Sequence, residues 1–157
     1  MPEKQDKVLV LCVDRDDDIG RKTDKKGPVI GREENIELAK SLGLADPEDS
    51  DTNAIFEAVK IHSSKENSQV ATITGDVHVG IESDEKMVTQ LEHVLEVTGA
   101  EKIILVTDGV EDEHIIPIIQ SYAKIVSIKR VIIKQSERLE GMYYQINDFL
   151  KEVVNDP

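Results

Sequence analysis

Six consecutive apolar residues, Val8-Leu9-Val10-Leu11-Cys12-Val13, run straight into Asp14-Arg15-Asp16-Asp17-Asp18. The apolar run is short and rich in Val, and reads as a strand buried on both faces. Four carboxylates around one arginine at its end are not explained by folding. Like charges this close repel, and must be solvated, paired or neutralised by a cation. In open α/β sheets, ligands bind outside the carboxyl ends of the strands. The stretch therefore marks both the centre of a sheet and the edge where function belongs.

The rest of the chain supplies partners for that strand. Val29 to Arg32 is a short extended piece. Glu33 to Gly43 places Ile36, Ala39 and Leu42 on one face and predicts a short helix stopped by Gly43. The acidic loop from Ala45 to Asp51 can cap a helix from Thr52 to Ser63, with Ile55, Phe56 and Val59 inward. Gln69 to Asp76 is strand-like, and a helix from Ser83 or Asp84 follows, closed by Gly99. Lys102 to Gly109 reads as a buried strand. Glu111 to Ala123 reads as a helix in which Pro117 starts the regular part or kinks it. Ile125 to Ile133 is another strand, and Leu139, Met142, Tyr143, Ile146, Phe149, Leu150 and Val153 mark a C-terminal helix. Strands alternating with helices predict a single α/β domain over residues 1–157, three-layered and Rossmann-like, with a mainly parallel sheet flanked by helices.

Charge narrows the partners. Against 32 Asp and Glu stand 19 Lys and Arg, a formal net charge of −13. That sign weighs against a nucleic-acid partner, which needs cations to displace counterions from phosphates. With five Phe and Tyr and no Trp, aromatic platforms for stacking bases are also scarce. The single Cys12 sits inside the first strand as a buried thiol, and without a second cysteine the chain forms no internal disulfide, which suits a reducing cytoplasm. The first residues lack the apolar core of a signal peptide, and no apolar run spans a bilayer. A cytoplasmic setting is the expectation.

Three predicted strands end on acid, at Asp14, Asp76 and Asp108. If the strands are parallel, these carboxylates emerge along one edge, and with Asp16 they are the candidate metal ligands. Hard cations such as Mg2+ and Mn2+ take oxygen ligands, and water on such a metal is a potential nucleophile. Turn chemistry alone accounts for Asp-Gly at a single strand end, but not for the density at Asp14 to Asp18. Arg15 and Arg32 are the candidate anion-binding cations, whereas Lys22, Lys25 and Lys26 are placed to pair with the acidic loops. His62, His93 and His114 are expected to face solvent.

Several longer runs carry a resemblance. Val13 to Gly20, Gly27-Pro28-Val29-Ile30-Gly31-Arg32-Glu33-Glu34-Asn35, Ala45 to Phe56, Thr107 to Glu113 and Lys129 to Ser136 resemble the archaeal domain-of-unknown-function family 373. The same runs supply the remaining candidate ligand-binding positions: Asp17, Asp18, Asn35, Asp49, Asp51, Asn53, Gly109 and Glu111. The resemblance implies an archaeal protein whose full-length relatives carry a membrane region after the soluble domain, a region this sequence lacks. A shorter stretch, Val106 to Pro117 with Ile128 to Ile133, is similar to the last acidic motif and strand of PIN and NYN nucleases. The expectation is a self-associating regulatory or sensory module, dimeric, that binds a divalent cation and a small phosphate-bearing molecule. The alternatives are a metal-dependent phosphodiesterase or nuclease and a purely structural interaction domain.

Overall fold

The structure, a computed structural model, describes residues 6–131. Eleven elements follow one another: β1 (Val8–Asp14), α1 (Asp18–Thr23), β2 (Val29–Ile30), α2 (Arg32–Ala45), α3 (Ser50–Ser64), β3 (Ser68–Thr74), α4 (Ile81–Thr98), β4 (Lys102–Thr107), α5 (Val110–Glu113), α6 (Ile116–Gln120) and β5 (Lys124–Arg130). The strands form one sheet in the order β2-β3-β1-β4-β5. β3, β1, β4 and β5 are parallel, and only the two-residue β2 runs against its neighbour β3. The sheet is thus mixed but mostly parallel.

β1 is central and buried along its whole length, and its alternation divides the interior in two. Leu9, Leu11 and Val13 meet Ala71, Ile73, Ile103 and Leu105 of the neighbouring strands and Met87, Leu91 and Val94 of α4. Val10 and Cys12 face the other way, toward Leu38, Ala39 and Leu42 of α2 and Ala54, Ile55 and Ala58 of α3. Each large side chain removed from water contributes roughly 1.5–3 kcal/mol, so a strand filling both interiors holds the layers together. Cys12 is buried, with its thiol donating to the Ala54 carbonyl oxygen.

Several features differ from expectation, among them Phe56 of α3, placed inward by the pattern but 43% exposed. Gly43 does not stop α2, which runs two residues further to Ala45, where the Asp46 N–H closes onto the Leu42 carbonyl. Asp18–Thr23 forms a short helix, α1, that the sequence pattern does not indicate. Its start is fixed by Asp17, a cap that pattern reading passes over because the helix spans only six residues. The helix expected from Glu111 to Ala123 is broken into α5 and α6, with Pro117 in the first turn of α6, where its missing N–H costs nothing. His62 is half-buried, its Nδ1 paired with the Ser68 hydroxyl at 2.8 Å, whereas His93 and His114 are exposed. Gly99 does close α4, in the left-handed conformation at φ 67. The C-terminal helix expected around Leu139 to Val153 lies outside the described residues.

Candidate metal centre

The parallel strands reverse their direction of build-up at β1: β3 lies on one side of it, β4 on the other. In an open α/β sheet a crevice opens at such a reversal, just beyond the strands' carboxyl ends. Asp14 closes β1 there, and Asp108 follows β4. Asp14 is 2% exposed. Its two oxygens accept from the N–H groups of Ile19, at 2.9 Å, and Asp18, at 3.3 Å, so it pins the start of α1 beneath itself. Asp17 turns the chain with a positive φ of 56 and accepts from the Gly20 N–H at 2.9 Å. A Cβ at position 20 would meet that carboxylate at 2.3 Å, so a larger residue there would push the Asp17 cap aside.

Two other elements deliver acid to the same place. α3 begins at this edge, and its first residues bring Asp49 and Asp51 inward. The Asp49 side chain caps the helix by accepting from the Asp51 N–H, and its other oxygen takes Lys22 of α1 at 2.5 Å. Beyond β4, Asp108 accepts from the Ser50 hydroxyl, and Asp112 of α5 accepts from the Arg15 N–H at 3.1 Å. The result is three overlapping oxygen sets: Asp14, Asp16 and Asp18; Asp18, Asp49 and Asp51; Asp51, Asp108 and Asp112. Within each set the ligand atoms lie within 4.8 Å of one another. Oxygens about 2.0–2.6 Å from a Mg2+ or Ca2+ ion span at most such distances, so each set can close on one ion.

The site's electrostatics are those of crowded, dry carboxylates. Burial pushes Asp14 up to about 8, against the pull of the Ile19 N–H, and Asp16 adds to the rise. Burial, with Asp14 and Asp108 nearby, pushes Asp51 up to about 11. Asp112 is pushed up to about 9 by burial and by Asp108. Burial also raises Asp108, but hydrogen bonds from Asp112, Ser50 and Asp51 outweigh it and hold this carboxyl below its usual range. At neutral pH the centre therefore holds protons or takes a cation in their place.

The candidate residues sort into three groups. Asp14, Asp16, Asp18, Asp49, Asp51 and Asp108 converge, and Asp17 shapes the loop beside them. Arg15 lies at the edge but turns away, with its Nε 3.1 Å from Asp84 of α4. Gly109 follows Asp108 in a tight turn closed by the Thr107 hydroxyl, and Asn53 is exposed on the first turn of α3. The structure describes the backbone of Glu111 in α5 but not its side chain.

Asp76, Arg32 and Asn35 are not brought to the centre. Asp76 accepts from the His78 N–H and pairs with Lys86. Arg32 lies toward the amino ends of the strands, held by Ser63 at the far end of α3 and by Glu33. Asn35 is fully buried and ties the Val29 and Gly31 carbonyls to the Thr72 hydroxyl. Asp112 is the participant that the sequence reading did not single out. Its signal was its place four residues after Asp108, one helical turn into an acidic run.

A family model described as a domain of unknown function, DUF373, matches residues 7–157. An uncharacterised protein of Archaeoglobus fulgidus is 44% identical over 161 residues, covering 100% of this chain and 44% of that protein. An uncharacterised protein of Methanocaldococcus jannaschii, MJ1032, is 46% identical over 153 residues, covering 94% of this chain and 42% of that protein. The chain thus spans less than half the length of these archaeal relatives. No solved structure matches. With its motifs matched from Lys7 to the last residue, the chain belongs to the DUF373 family.

Proposed function

We propose that this domain binds a hard divalent cation, Mg2+ or Mn2+, at the carboxyl edge between β1 and β4. In this reading the loaded site engages a small phosphate-bearing molecule in a regulatory or sensory role. The observation that carries it is the burial of Asp14, Asp51 and Asp112, at 2%, 5% and 8% exposure, without a cationic partner among the described residues. Uncompensated buried charge is costly, and natural folds retain it where a proton or metal offsets it. The Rossmann-like, three-layer reading of the fold supports the same place, because a reversal of strand order opens a crevice there. All-oxygen ligation favours hard cations over zinc or copper.

The phosphate-bearing ligand follows from charge. A divalent ion held by carboxylates keeps some water, and an anionic oxygen can displace it. Arg21 and Lys22 of α1 stand at this edge, on Asp18 and Asp49. Isothermal titration of Mg2+ into the chelator-stripped chain tests the cation reading. Saturable binding is expected for the native chain, at least tenfold weaker in Asp14→Asn. Absence of binding up to millimolar Mg2+ and Mn2+ would overturn it.

A further inference from the structure

We infer that Asp84 of α4 is a positioning residue for the acidic edge: it draws the Arg15 guanidinium away from the carboxylates and so keeps them open to a metal ion. This rests on the cation reading above and adds to it a residue that belongs to none of the acidic sets.

Arg15 lies between Asp14 and Asp16 in the chain, and its own N–H donates to Asp112 at 3.1 Å. A guanidinium rooted there has the acids of the edge within reach, and its charge among them would take the place of a metal. The side chain takes the opposite course. Nε donates to one Asp84 oxygen at 3.1 Å and Nη2 to the other at 3.5 Å, a two-pronged grip on the carboxylate. The pair is largely withdrawn from water, with side chains 13% and 26% exposed.

The backbone of Arg15 has no comparable choice. Its carbonyl accepts from the hydroxyl of Ser83, which is fully buried, at 2.5 Å and from the Asp76 N–H at 3.1 Å. Ser83 and Asp84 are neighbours in the first turn of α4, so one turn of helix fixes both the main chain and the side chain of residue 15. With the N–H and the carbonyl both held, only the guanidinium can move, between Asp84 on one side and the acids on the other. Other carboxylates nearby already have cations: Asp18 pairs with Arg21, Asp49 with Lys22 and Asp76 with Lys86. Breaking a partly buried pair leaves a charge that seeks a new partner. An Arg15 released from Asp84 would find it among Asp14, Asp16 and Asp112. Were the guanidinium there in about nine-tenths of molecules, the apparent metal affinity would fall about tenfold, because only the remaining tenth could bind.

Mn2+ titration of the full, chelator-stripped chain, followed by the electron paramagnetic resonance of free Mn2+, tests this with two variants. Asp84→Asn is expected to bind Mn2+ about tenfold more weakly than the native chain. The double variant Arg15→Gln with Asp84→Asn is expected to return to within about threefold of native, since no guanidinium remains to compete. A merely structural role for Asp84 predicts no such rescue, so a double variant as weak as Asp84→Asn would overturn the inference. Native affinity in Asp84→Asn would overturn it too, while leaving the cation reading intact. No Mn2+ bound by the native chain would overturn both. Circular dichroism checks the folding of the variants, and a measurement on the native chain decides if they do not fold. The Arg15 Nε–H resonance should stay in place when Mg2+ is removed by chelator, and a shift on chelation would show the guanidinium moving to the acids in spite of Asp84 and overturn the inference.

Discussion

Asp51 carries the sharpest conflict in the molecule: a carboxyl taken out of water beside Asp14, Asp108 and Asp49. Its folded form holds a proton far above the ordinary carboxylate range, as Asp14 and Asp112 do with values of about 8 and 9. In the unfolded chain such groups ionise near 4. Between those limits the folded state binds more protons than the unfolded, so stability must fall as pH rises. We therefore expect the chelated protein to be more stable at about pH 5 than at about pH 8, with saturating Mg2+ flattening that slope. Asp108, lowered rather than raised, is ionised in both states across this window and does not oppose the trend. Urea unfolding at the two pH values, with and without metal, measures it. A chelated protein that gains stability toward pH 8 would contradict the burial argument. By the same logic Asp51→Asn should raise the melting temperature of the chelated protein at about pH 8 while removing most of its response to metal, since sites built for ligands are held at a cost to stability.

Among the elements, the short ones place the chemistry. α3 starts at the acidic edge because Asp49 caps it, and the same carboxylate ties Lys22 of α1 across to it. Asp49→Ala should cost about 1 kcal/mol as a lost cap, and somewhat more because Lys22 loses its buried partner. Equilibrium denaturation would show this as a lower midpoint at unchanged slope. Gly75 is the second pivot. A Cβ there would stand 2.0 Å from the Arg15 carbonyl oxygen and 2.2 Å from the Ser83 hydroxyl, while the Gly75 N–H donates to the Asp14 carbonyl at 2.7 Å. Gly75→Ala should destabilise by about 1–3 kcal/mol, as overpacking does, and weaken metal binding by moving the end of β1. Unfolding and Mg2+ titration of that variant test both effects.

The same elements show what could be read in the sequence. β1 was legible because six apolar residues in a row leave few alternatives, and Asp108 because its strand ends plainly. Asp76 looked equivalent, yet its N–H bonds to the Arg15 carbonyl through a turn that sends the side chain to Lys86. Arg32 seemed close to the acids along the chain, but the antiparallel β2 carries it to the other end of the sheet. Asp112 was hidden because its approach depends on where α5 folds back against Arg15. Local pattern specifies elements, and the spatial meeting of their ends follows from topology.

On the scale of the whole molecule, one central strand fills both interiors and opens at its carboxyl end onto a cluster supplied by β1, α1, α3, β4 and α5. No helix among the described residues is long and apolar enough to cross a membrane. The net charge of −13 is not spread evenly in its consequences. Surface carboxylates are solvated and screened, whereas those at the crevice are neither. Metal should therefore act on stability through the site and not through ionic strength. Thermal unfolding of the native chain in Mg2+, set against NaCl of equal ionic strength, is the most direct measurement of that claim. At a hundredfold excess over the dissociation constant, a ligand of the native state adds about 2.7 kcal/mol, which for a domain of this size raises the melting temperature by roughly 5–10 °C. The account predicts a rise of that order with Mg2+ beyond the NaCl control, lost in Asp14→Asn. Identical melting in Mg2+ and in matched NaCl would contradict it.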